Sequence, residues 1–267
     1  SETRSPLLIR NVAGTLAAPI TIRGDTNGVV TIRRAAPVGG GFVFELRNCH
    51  HFVLDGYRAS ATKGCGIKVT YATSAGATKD NPSAFVQFSG NPYTASSGLT
   101  PSDDFTCRYI EVAGGWPTYA VGSCIGIQIN QSGYLAANFP GQYIENCIFE
   151  HNYVHDCHGE GMYLGPNAYD LRVPLRNITV RYNWCEGMGR EGMQCKSWFS
   201  GTNAVYGNTV IGNGLSGDTA DCTGISMLSS VADVHDNWVQ DSGHNGINFY
   251  TDRFPPATDY PSFTCNV

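Results

Sequence analysis

Short apolar alternations, each preceded by glycine, recur along the chain. Six segments consist of a glycine, a large apolar residue, a variable residue and a second apolar residue. Such alternation is typical of a β-strand, in which one side chain faces inward and the next faces outward. The last four segments begin 31, 32 and 22 residues apart, and this repetition predicts stacked structural units. The six segments are 66–69, 126–129, 161–164, 192–195, 224–227 and 246–249.

A second pattern, based on asparagine, has the same register. Four strand-like segments end in asparagine, and in three of them the next glycine segment begins nine residues later. The fourth interval, from position 208 to position 224, is sixteen residues and predicts an inserted loop. Two residues after each asparagine stands a residue that we expect to face inward. The asparagines are Asn152, Asn183, Asn208 and Asn237, and the inward residues are Val154, Cys185, Val210 and Val239.

Together these patterns predict a coil of short strands, in which each strand pairs with its equivalent in the next coil. An asparagine at a turn can bond backbone groups of its own turn and of the next coil. Glycine supplies turn conformations that other residues disfavour. A β-sandwich with irregular loops is the alternative, but it gives no reason for asparagine and glycine to repeat in register. The predicted fold class is therefore an all-β solenoid.

Several phrases of the sequence resemble a known family. They are Asn183, the segment 208–210 with 224–225, the segment 48–56, and the opening 11–24. In these the chain is similar to right-handed parallel β-helices of the pectin-lyase-like superfamily, including secreted members similar to alginate and chondroitin lyases. The resemblance covers nearly the whole chain and implies the fold. It says less about the reaction, because one fold hosts many activities.

Length, charge and chain ends refine this picture. The 267 residues form one predicted β-helix domain, 1–267. The net charge of −5 argues against a nucleic-acid partner, and no stretch is long and apolar enough for a membrane helix. Ser1-Glu2-Thr3 resembles the middle of a family opening, and 263–267 reads as the start of another strand. We therefore expect an elongated domain that is incomplete at both ends, forms part of a longer chain, or stacks end to end.

Ten cysteines favour an extracellular protein, secreted or at the cell surface, with several disulfides. There is no CxxC pair, so a zinc ribbon is not expected. Cys147, Cys185 and Cys195 fall on inward positions, where small buried thiols are the other interpretation. Sequons at Asn130 and Asn177 would permit glycosylation of a secreted protein.

Outward residues of neighbouring coils stack about 4.8 Å apart and so build a surface. Glu160 and Glu191 stand just before two glycines on adjacent coils, and stacked like charges favour a cation between them. The cation is either Ca²⁺ or the side chain of Arg190. The same face is predicted to gather Tyr163, Gln194, Lys196, Trp198, Tyr250, His158 and His244.

The resemblance implies a role for this face. Uronate lyases take a proton next to the sugar carboxylate with a base, and neutralise that carboxylate with a cation. Lys196 is the predicted base, and Arg190 or Arg181 is the predicted partner of the carboxylate. Tyr163, Trp198 and Tyr250 would stack on sugar rings, while Gln194, His158 and His244 would bind substrate. The predicted partner is an acidic polysaccharide or glycan, and Ca²⁺ is the one cofactor considered.

Other interpretations of these residues stay open. Outward charges on strands are usually only solvated. A glycoside hydrolase needs two carboxylates about 5 Å apart for retention or about 6.5–9.5 Å apart for inversion, and stacked glutamates meet only the shorter separation. Asp103-Asp104 lies outside the repeat, and His50, His51, His151, His155 and His158 point apart in a strand-turn pattern, against a metal site. The non-enzyme alternative is an extracellular structural or adhesive module.

Overall fold

The computed structural model describes residues 7–25, 27–35, 41–72, 83–90, 101–115, 124–130, 138–166, 173–217, 222–250 and 262–264. The first strands are β1 (Leu7–Arg10), β2 (Ile20–Arg23), β3 (Val30–Ala35), β4 (Phe42–Arg47), β5 (His50–Asp55), β6 (Ile67–Ala72), β7 (Ala84–Ser89), β8 (Asp103–Arg108) and β9 (Ile110–Ala113). They continue as β10 (Ile125–Asn130), β11 (Ile144–Glu145), β12 (Cys147–Glu150), β13 (Tyr153–His155), β14 (Met162–Leu164), β15 (Leu175–Arg176), β16 (Thr179–Arg181) and β17 (Trp184–Glu186). The last are β18 (Met193–Lys196), β19 (Ala204–Tyr206), β20 (Thr209–Asn213), β21 (Ile225–Leu228), β22 (Asp233–His235), β23 (Trp238–Ser242), β24 (Ile247–Tyr250) and β25 (Ser262–Thr264).

Three long parallel sheets run along the molecule, and the chain visits them in turn. Sheet 1 has the order β1-β4-β7-β10-β14-β18-β21-β24. Sheet 2 has the order β2-β5-β8-β12-β16-β19-β22-β25, and sheet 3 the order β3-β6-β9-β13-β17-β20-β23 when read from its first strand. Each strand therefore pairs with its equivalent one coil away, which confirms the predicted right-handed parallel β-helix. In the described part of the chain the one helical segment is the 3-10 turn Thr62–Gly64.

The core consists of the inward residues of all three sheets. On β14 the side chains of Met162 and Leu164 are fully buried in it, as alternation requires. Phenylalanines stack along the axis, and the rings of Phe88 and Phe105 lie 4.2 Å apart between centroids. The predicted inward residues Val154, Cys185 and Val210 are completely buried, and Val239 packs against the same core.

An asparagine ladder joins the turns between sheets 2 and 3, as predicted. The Nδ2 atom of Asn152 donates to Oδ1 of Asn183 at 2.9 Å, and that of Asn183 donates to Oδ1 of Asn208 at 3.0 Å. The same Oδ1 of Asn183 accepts the backbone N–H of Asn152 at 3.1 Å. Asn237 continues the ladder by accepting from Asn208. Each amide thus satisfies backbone groups that the turn would otherwise bury unbonded.

The six glycine segments do not all belong to one sheet, although their shared sequence pattern suggested equivalent positions. The five later segments lead into sheet 1, whereas Ile67–Ala72 belongs to sheet 3 and Lys68 pairs there with Glu111. Sheet 1 needs these glycines because the coils approach closely. A Cβ atom on Gly161 would lie 2.5 Å from the carbonyl oxygen of Gly192.

The cysteines are interior thiols. All nine that the structure describes are buried, and no disulfide joins any two of them, so the predicted disulfides are not found among these nine residues. Cys265 lies outside the described residues. Burial raises the pKa of the Cys185 thiol to about 12, because the thiolate would lose its hydration. The cysteines therefore act as small apolar core residues, the interpretation that the sequence offered for Cys147, Cys185 and Cys195.

An ion-pair ladder runs along the outside of sheet 2. Asp55 accepts from Arg108 at 3.0 Å, and Arg108 lies 3.5 Å from Glu150. Glu150 accepts from Nε of Arg181 at 2.8 Å, and Arg181 donates to the Tyr206 hydroxyl at 2.9 Å. The sign of the charge thus alternates from coil to coil. We call Arg23, Asp55, Arg108, Glu150, Arg181 and Tyr206 the sheet-2 ladder.

Among the described residues no helix is long and apolar enough to span a membrane.

Candidate functional site

A polar cluster lies on the outer side of sheet 1, centred on β14 and β18. Tyr163 pairs in register with Gln194, and Gln194 pairs with Ser226. Their chain neighbours Met162 and Met193 face the core, so these polar side chains face outward. These residues therefore share the outer face of sheet 1, as the glycine pattern predicts. We define the sheet-1 cluster as Glu160, Tyr163, Arg190, Glu191, Gln194, Lys196 and Ser226.

Lys196 and Tyr163 form the centre of this cluster. The Lys196 Nζ atom donates to the Tyr163 hydroxyl oxygen at 2.8 Å and lies 4.5 Å from the centroid of its ring. Both residues are buried, with 7% and 5% of their surface exposed. Their burial argues against the alternative interpretation, in which Lys196 is simply a solvated outward charge. An ammonium group in a site of low polarity strongly stabilises a negative charge that develops on the tyrosine oxygen.

Two carboxylates stand at the turns that lead into the same two strands, β14 and β18. Glu160 and Glu191 occupy adjacent coils, where the Gly161 N–H donates to the carbonyl oxygen of Glu191. Each is 3% exposed. Arg190 lies 3.5 Å from Glu160, and Gln194 donates to Glu191 at 2.7 Å. The stacked acids predicted from the sequence are thus present, with the guanidinium cation beside one of them.

Among the polar atoms of the cluster that are buried without a hydrogen-bond partner in the described part of the chain, two stand in the same outward row. They are Oε1 of Gln194 and Oγ of Ser226, which stand on neighbouring strands. A buried polar atom left in this state costs roughly 1–3 kcal/mol. Such a cost is typical of a binding or catalytic site, where a ligand completes the bonding.

The fit of Ca²⁺ can be judged from these donors. Calcium takes about 6–8 oxygen ligands, and no group of three or more His, Cys, Asp or Glu side chains converges within the described ranges. Arg190 already places a cation beside Glu160. The described residues therefore do not make up a calcium site by themselves, and Ca²⁺ binding stays a prediction on which no step below depends.

Two predicted substrate-binding residues lie elsewhere. Trp198 is completely buried in the core, where its indole N–H donates to the Leu164 carbonyl at 2.9 Å, so its predicted role as an exposed stacking platform is wrong. Arg181 belongs to the sheet-2 ladder, on another face from Lys196, and is bound there by Glu150. Sequence separation alone did not show that its strand belongs to a different sheet.

The remaining predicted residues lie at the margin of sheet 1. Tyr250 is exposed on β24, two coils from Lys196 in the same row. His158 is half-buried and His244 is exposed, both at turns that lead from sheet 3 into sheet 1. Their roles in substrate binding stay predictions.

The two predicted glycosylation sites are Asn130 and Asn177, and the structure describes the side chain of Asn177. The side chain of Asn130 lies outside the described residues. The Asn177 amide donates to Oδ1 of Asn146 at 3.0 Å, and its own Oδ1 accepts the Thr202 N–H at 3.1 Å. Glycosylation at either position stays a prediction, and at Asn177 it would compete with this bonding.

Sequence reasoning missed a second polar network, on the outer side of sheet 3. Glu111 binds Lys68 and lies 3.3 Å from His155, whose Nδ1 atom lies 2.8 Å from Asp156. The neighbouring strand adds Glu186, which accepts from the hydroxyl of Tyr153 at 3.3 Å and from the indole of Trp184 at 3.0 Å. The alternation around Val154 and Cys185 was the signal that could have placed these residues outward together.

The comparisons with known proteins concern the fold. No protein-family model matches the chain, and no curated protein matches it. Among solved structures it is similar to full-length tailspike protein 2 from Escherichia coli O157:H7 bacteriophage CAB120, with a TM-score of 0.54 and 15% identity over 91% of this chain and 28% of that one. It is similar also to the enzymatically active domain of bacteriophage CBA120 tailspike protein 2, with a TM-score of 0.53 and 15% identity over 91% of this chain and 32% of that domain. The chain thus spans less than a third of each structure, and the likeness supports the β-helix.

Proposed function

We propose that the chain is an extracellular, carbohydrate-active β-helix that cleaves an acidic polysaccharide by β-elimination at the sheet-1 cluster. The observation that carries the proposal is the buried contact of 2.8 Å between the Lys196 ammonium and the Tyr163 hydroxyl. The structural similarity to an enzymatically active tailspike domain supports an enzyme on this fold.

β-Elimination requires three events at the uronate unit. A base takes the proton from the carbon next to the carboxylate, the released electron pair forms a carbon–carbon double bond, and the bond to the glycosidic oxygen breaks. The leaving oxygen then takes a proton. In the proposed mechanism Tyr163 reacts as a phenolate that the Lys196 ammonium stabilises. Its oxygen takes the proton and becomes the neutral hydroxyl, which then gives that proton to the leaving oxygen. Arg190, whose side chain is one third exposed, is the group that binds the sugar carboxylate from the solvent side.

The Gln194 and Ser226 oxygens fit the same proposal. Both are hydrogen-bond acceptors that are buried without partners among the described residues. Sugar hydroxyl groups are donors, so a bound polysaccharide would complete the bonding of both atoms. The proposal thereby explains why a stable β-helix retains polar atoms at these two positions.

The test is the ultraviolet absorbance of the unsaturated product after incubation with alginate, pectate and chondroitin sulfate, each with and without a chelator. We expect one polymer to be cleaved, and Lys196→Met to lower the rate by about 10²–10⁴-fold. The matched control is Lys68→Met, which removes a lysine from sheet 3 and should leave the rate unchanged. Cleavage that survives Lys196→Met would overturn the assignment of the site, and loss of cleavage with chelator would add Ca²⁺ to it.

The second candidate function is a non-catalytic structural or adhesive module. The low exposure of Lys196 and Tyr163 favours it, because a closed polar cluster can serve stability alone. End-to-end self-association belongs to this alternative. No unsaturated product from any of the three polymers, together with concentration-dependent polymers in light scattering, would support the module over the lyase.

A further inference from the structure

A separate pocket lies on the outer side of sheet 2, away from the sheet-1 cluster. It has a volume of about 260 Å³ and opens to solvent between the turn at 15–18 and the strands β5, β8 and β12. Pockets for drug-sized ligands measure about 300–1,000 Å³, so this one has room for a single small ring. The lining residues are Thr15, Leu16, Pro19, His51, Phe52, Val53, Asp104, Phe105, Thr106, Asn146 and Ile148.

One part of the pocket is apolar. Val53, Thr106 and Ile148 follow one another in register along the outer side of sheet 2 and form its floor. Leu16 and Pro19 stand opposite, on the segment that carries the turn. Leu16 is 88% exposed, which is unusual for a large apolar side chain and leaves it available to cover a ligand.

The other part of the pocket is polar. His51, Asp104 and Asn146 occupy successive coils, each with a left-handed backbone, at φ of 48°, 50° and 58°. Asn146 donates to Asp104 at 2.6 Å, while the Nδ1 atom of His51 lies 3.9 Å from the same carboxylate. The three side chains supply a carboxylate, an amide and an imidazole at one end of an apolar floor. Such groups form paired hydrogen bonds with adjacent hydroxyls.

The charges behind this polar end are balanced. His50 contacts Asp103 through Nδ1 and Oδ1 of Asn48 through Nε2, the latter at 2.9 Å. The bond to Asp103 raises the pKa of His50, which favours the imidazolium form between these two acceptors. Glu145, on the next coil, is paired with Arg176. Asp104 is therefore the one carboxylate at the pocket without a cation in hydrogen-bonding contact among the described residues.

We infer that this pocket binds one neutral sugar ring, with its apolar face on Val53, Thr106 and Ile148 and two hydroxyls on Asp104 and Asn146. The size excludes an oligosaccharide within the pocket, and an anionic sugar would meet the Asp104 carboxylate. The pocket lies on a different sheet from Lys196, so it would hold a chain of sugars at a point remote from the sheet-1 cluster. The inference does not depend on the proposed β-elimination.

The test is saturation-transfer NMR of the whole chain with glucose, galactose, mannose and N-acetylglucosamine, and with galacturonate and glucosamine as charged probes. We expect at least one neutral sugar to bind, and Thr106→Phe, which fills the floor, to weaken it by at least tenfold. The matched control is Thr179→Phe, at the next position of the same outward row but outside the lining. Asp104→Asn should also weaken binding, whereas Asp236→Asn, at another left-handed position, should not.

Several results would overturn the inference. They are the absence of binding by every neutral sugar, tighter binding of galacturonate or glucosamine than of any neutral sugar, and binding that Thr106→Phe and Asp104→Asn leave intact. Thermal unfolding of each variant identifies one that fails to fold, in which case the other variant decides. Lys196→Met should leave sugar binding here unchanged, so failure of the β-elimination proposal and failure of this one are distinguishable.

Discussion

The sheet-2 ladder and the sheet-1 cluster are two polar arrays on the outside of one β-helix, and they handle charge in opposite ways. In the ladder each acid has a base on the next coil, as Glu150 has Arg108 and Arg181. In the cluster two acids, Glu160 and Glu191, stand on adjacent coils, and the oxygens of Gln194 and Ser226 are buried without partners among the described residues. Alternating charges on neighbouring coils stabilise the fold. Like charges on neighbouring coils repel each other and are typical of a ligand-binding site.

The largest expected difference between the two arrays is in activity. Tyr163 and Tyr206 each have a hydroxyl in contact with a cation, Lys196 in the cluster and Arg181 in the ladder. Because the proposed mechanism moves a proton through the first hydroxyl, Tyr163→Phe should lower polysaccharide cleavage by about 10²–10⁴-fold. Tyr206→Phe should leave the rate unchanged and cost about 1 kcal/mol of unfolding free energy. Equal rates for the two variants, measured from the absorbance of the product, would remove the functional contrast.

The buried asparagine ladder should contribute more to the free energy of unfolding than the exposed one. Asn183→Ala removes an amide that is 1% exposed and leaves the backbone N–H of Asn152 without its acceptor. We expect a loss of roughly 2–4 kcal/mol in the free energy of unfolding, from denaturant titration followed by circular dichroism. Asn177→Ala, in the exposed ladder of Asn146 and Asn177, is the control and should cost less than about 1 kcal/mol. A similar loss in both variants would show that burial does not decide the value of these bonds.

A pair of charge-neutralising substitutions tests the contrast directly. Glu150→Gln leaves Arg108 and Arg181 without the carboxylate between them, so it should lower the unfolding free energy by about 1–3 kcal/mol, less than a fully buried pair because the arginines are partly exposed. Glu191→Gln removes one of two stacked negative charges, so the stability should stay within about 1 kcal/mol of wild type or rise. Denaturation midpoints measure both. Greater destabilisation by Glu191→Gln than by Glu150→Gln would mean that the Glu191 carboxylate stabilises the cluster, as Glu150 stabilises the ladder.

The fold could be predicted from the sequence because its repeats are local. The asparagine spacing marks the turn between sheets 2 and 3. The apolar alternation identifies the side chains that enter the core, such as Val154 and Met162. Both follow from hydrogen bonding and burial within one coil and its neighbour. The prediction was weaker for Lys68, whose glycine segment has the same pattern but belongs to sheet 3.

The site was predicted in part. Tyr163, Gln194 and Lys196 come together because one register relates adjacent coils, while Glu160 pairs with Arg190 at the turns before these strands. Trp198 was misplaced because the strand pattern ends at Lys196, and the turn beyond it directs the indole into the core. The cysteines were misjudged because composition favours disulfides, whereas their positions in the inward rows bury each thiol separately. The contacts of His50 with Asp103 needed the register of β5 with β8, which no local pattern reports.

The smallest expected effect is the pH dependence of stability. We expect the Lys68–Glu111–His155 network on sheet 3 to stabilise the fold by paired charges, as the sheet-2 ladder does. Burial lowers the pKa of His155, but its bonds to Glu111 and Asp156 outweigh this and raise the pKa above the ordinary value. The bond from His155, with that from Lys68, lowers the pKa of Glu111.

The signs of these two shifts define a pH window. The histidine contribution to stability is full below the ordinary histidine pKa of about 6.5 and is lost as the pH rises through the raised pKa. The Glu111 contribution is present above the ordinary glutamate pKa of about 4.3 and is lost as the pH falls through the lowered one. The pair should therefore contribute most between about pH 4.3 and 6.5. Urea midpoints at about pH 5.5 and pH 8 should show a loss of about 1 kcal/mol from His155 at the higher pH. His50, whose pKa is also raised, adds to the decline of the wild type. His155→Gln should therefore make the decline smaller, whereas His244→Gln, at an exposed turn, should leave it unchanged. The same decline in His155→Gln as in wild type would assign the pH dependence to another group. The network on sheet 3 would then not stabilise the fold through paired charges, as the sheet-2 ladder does.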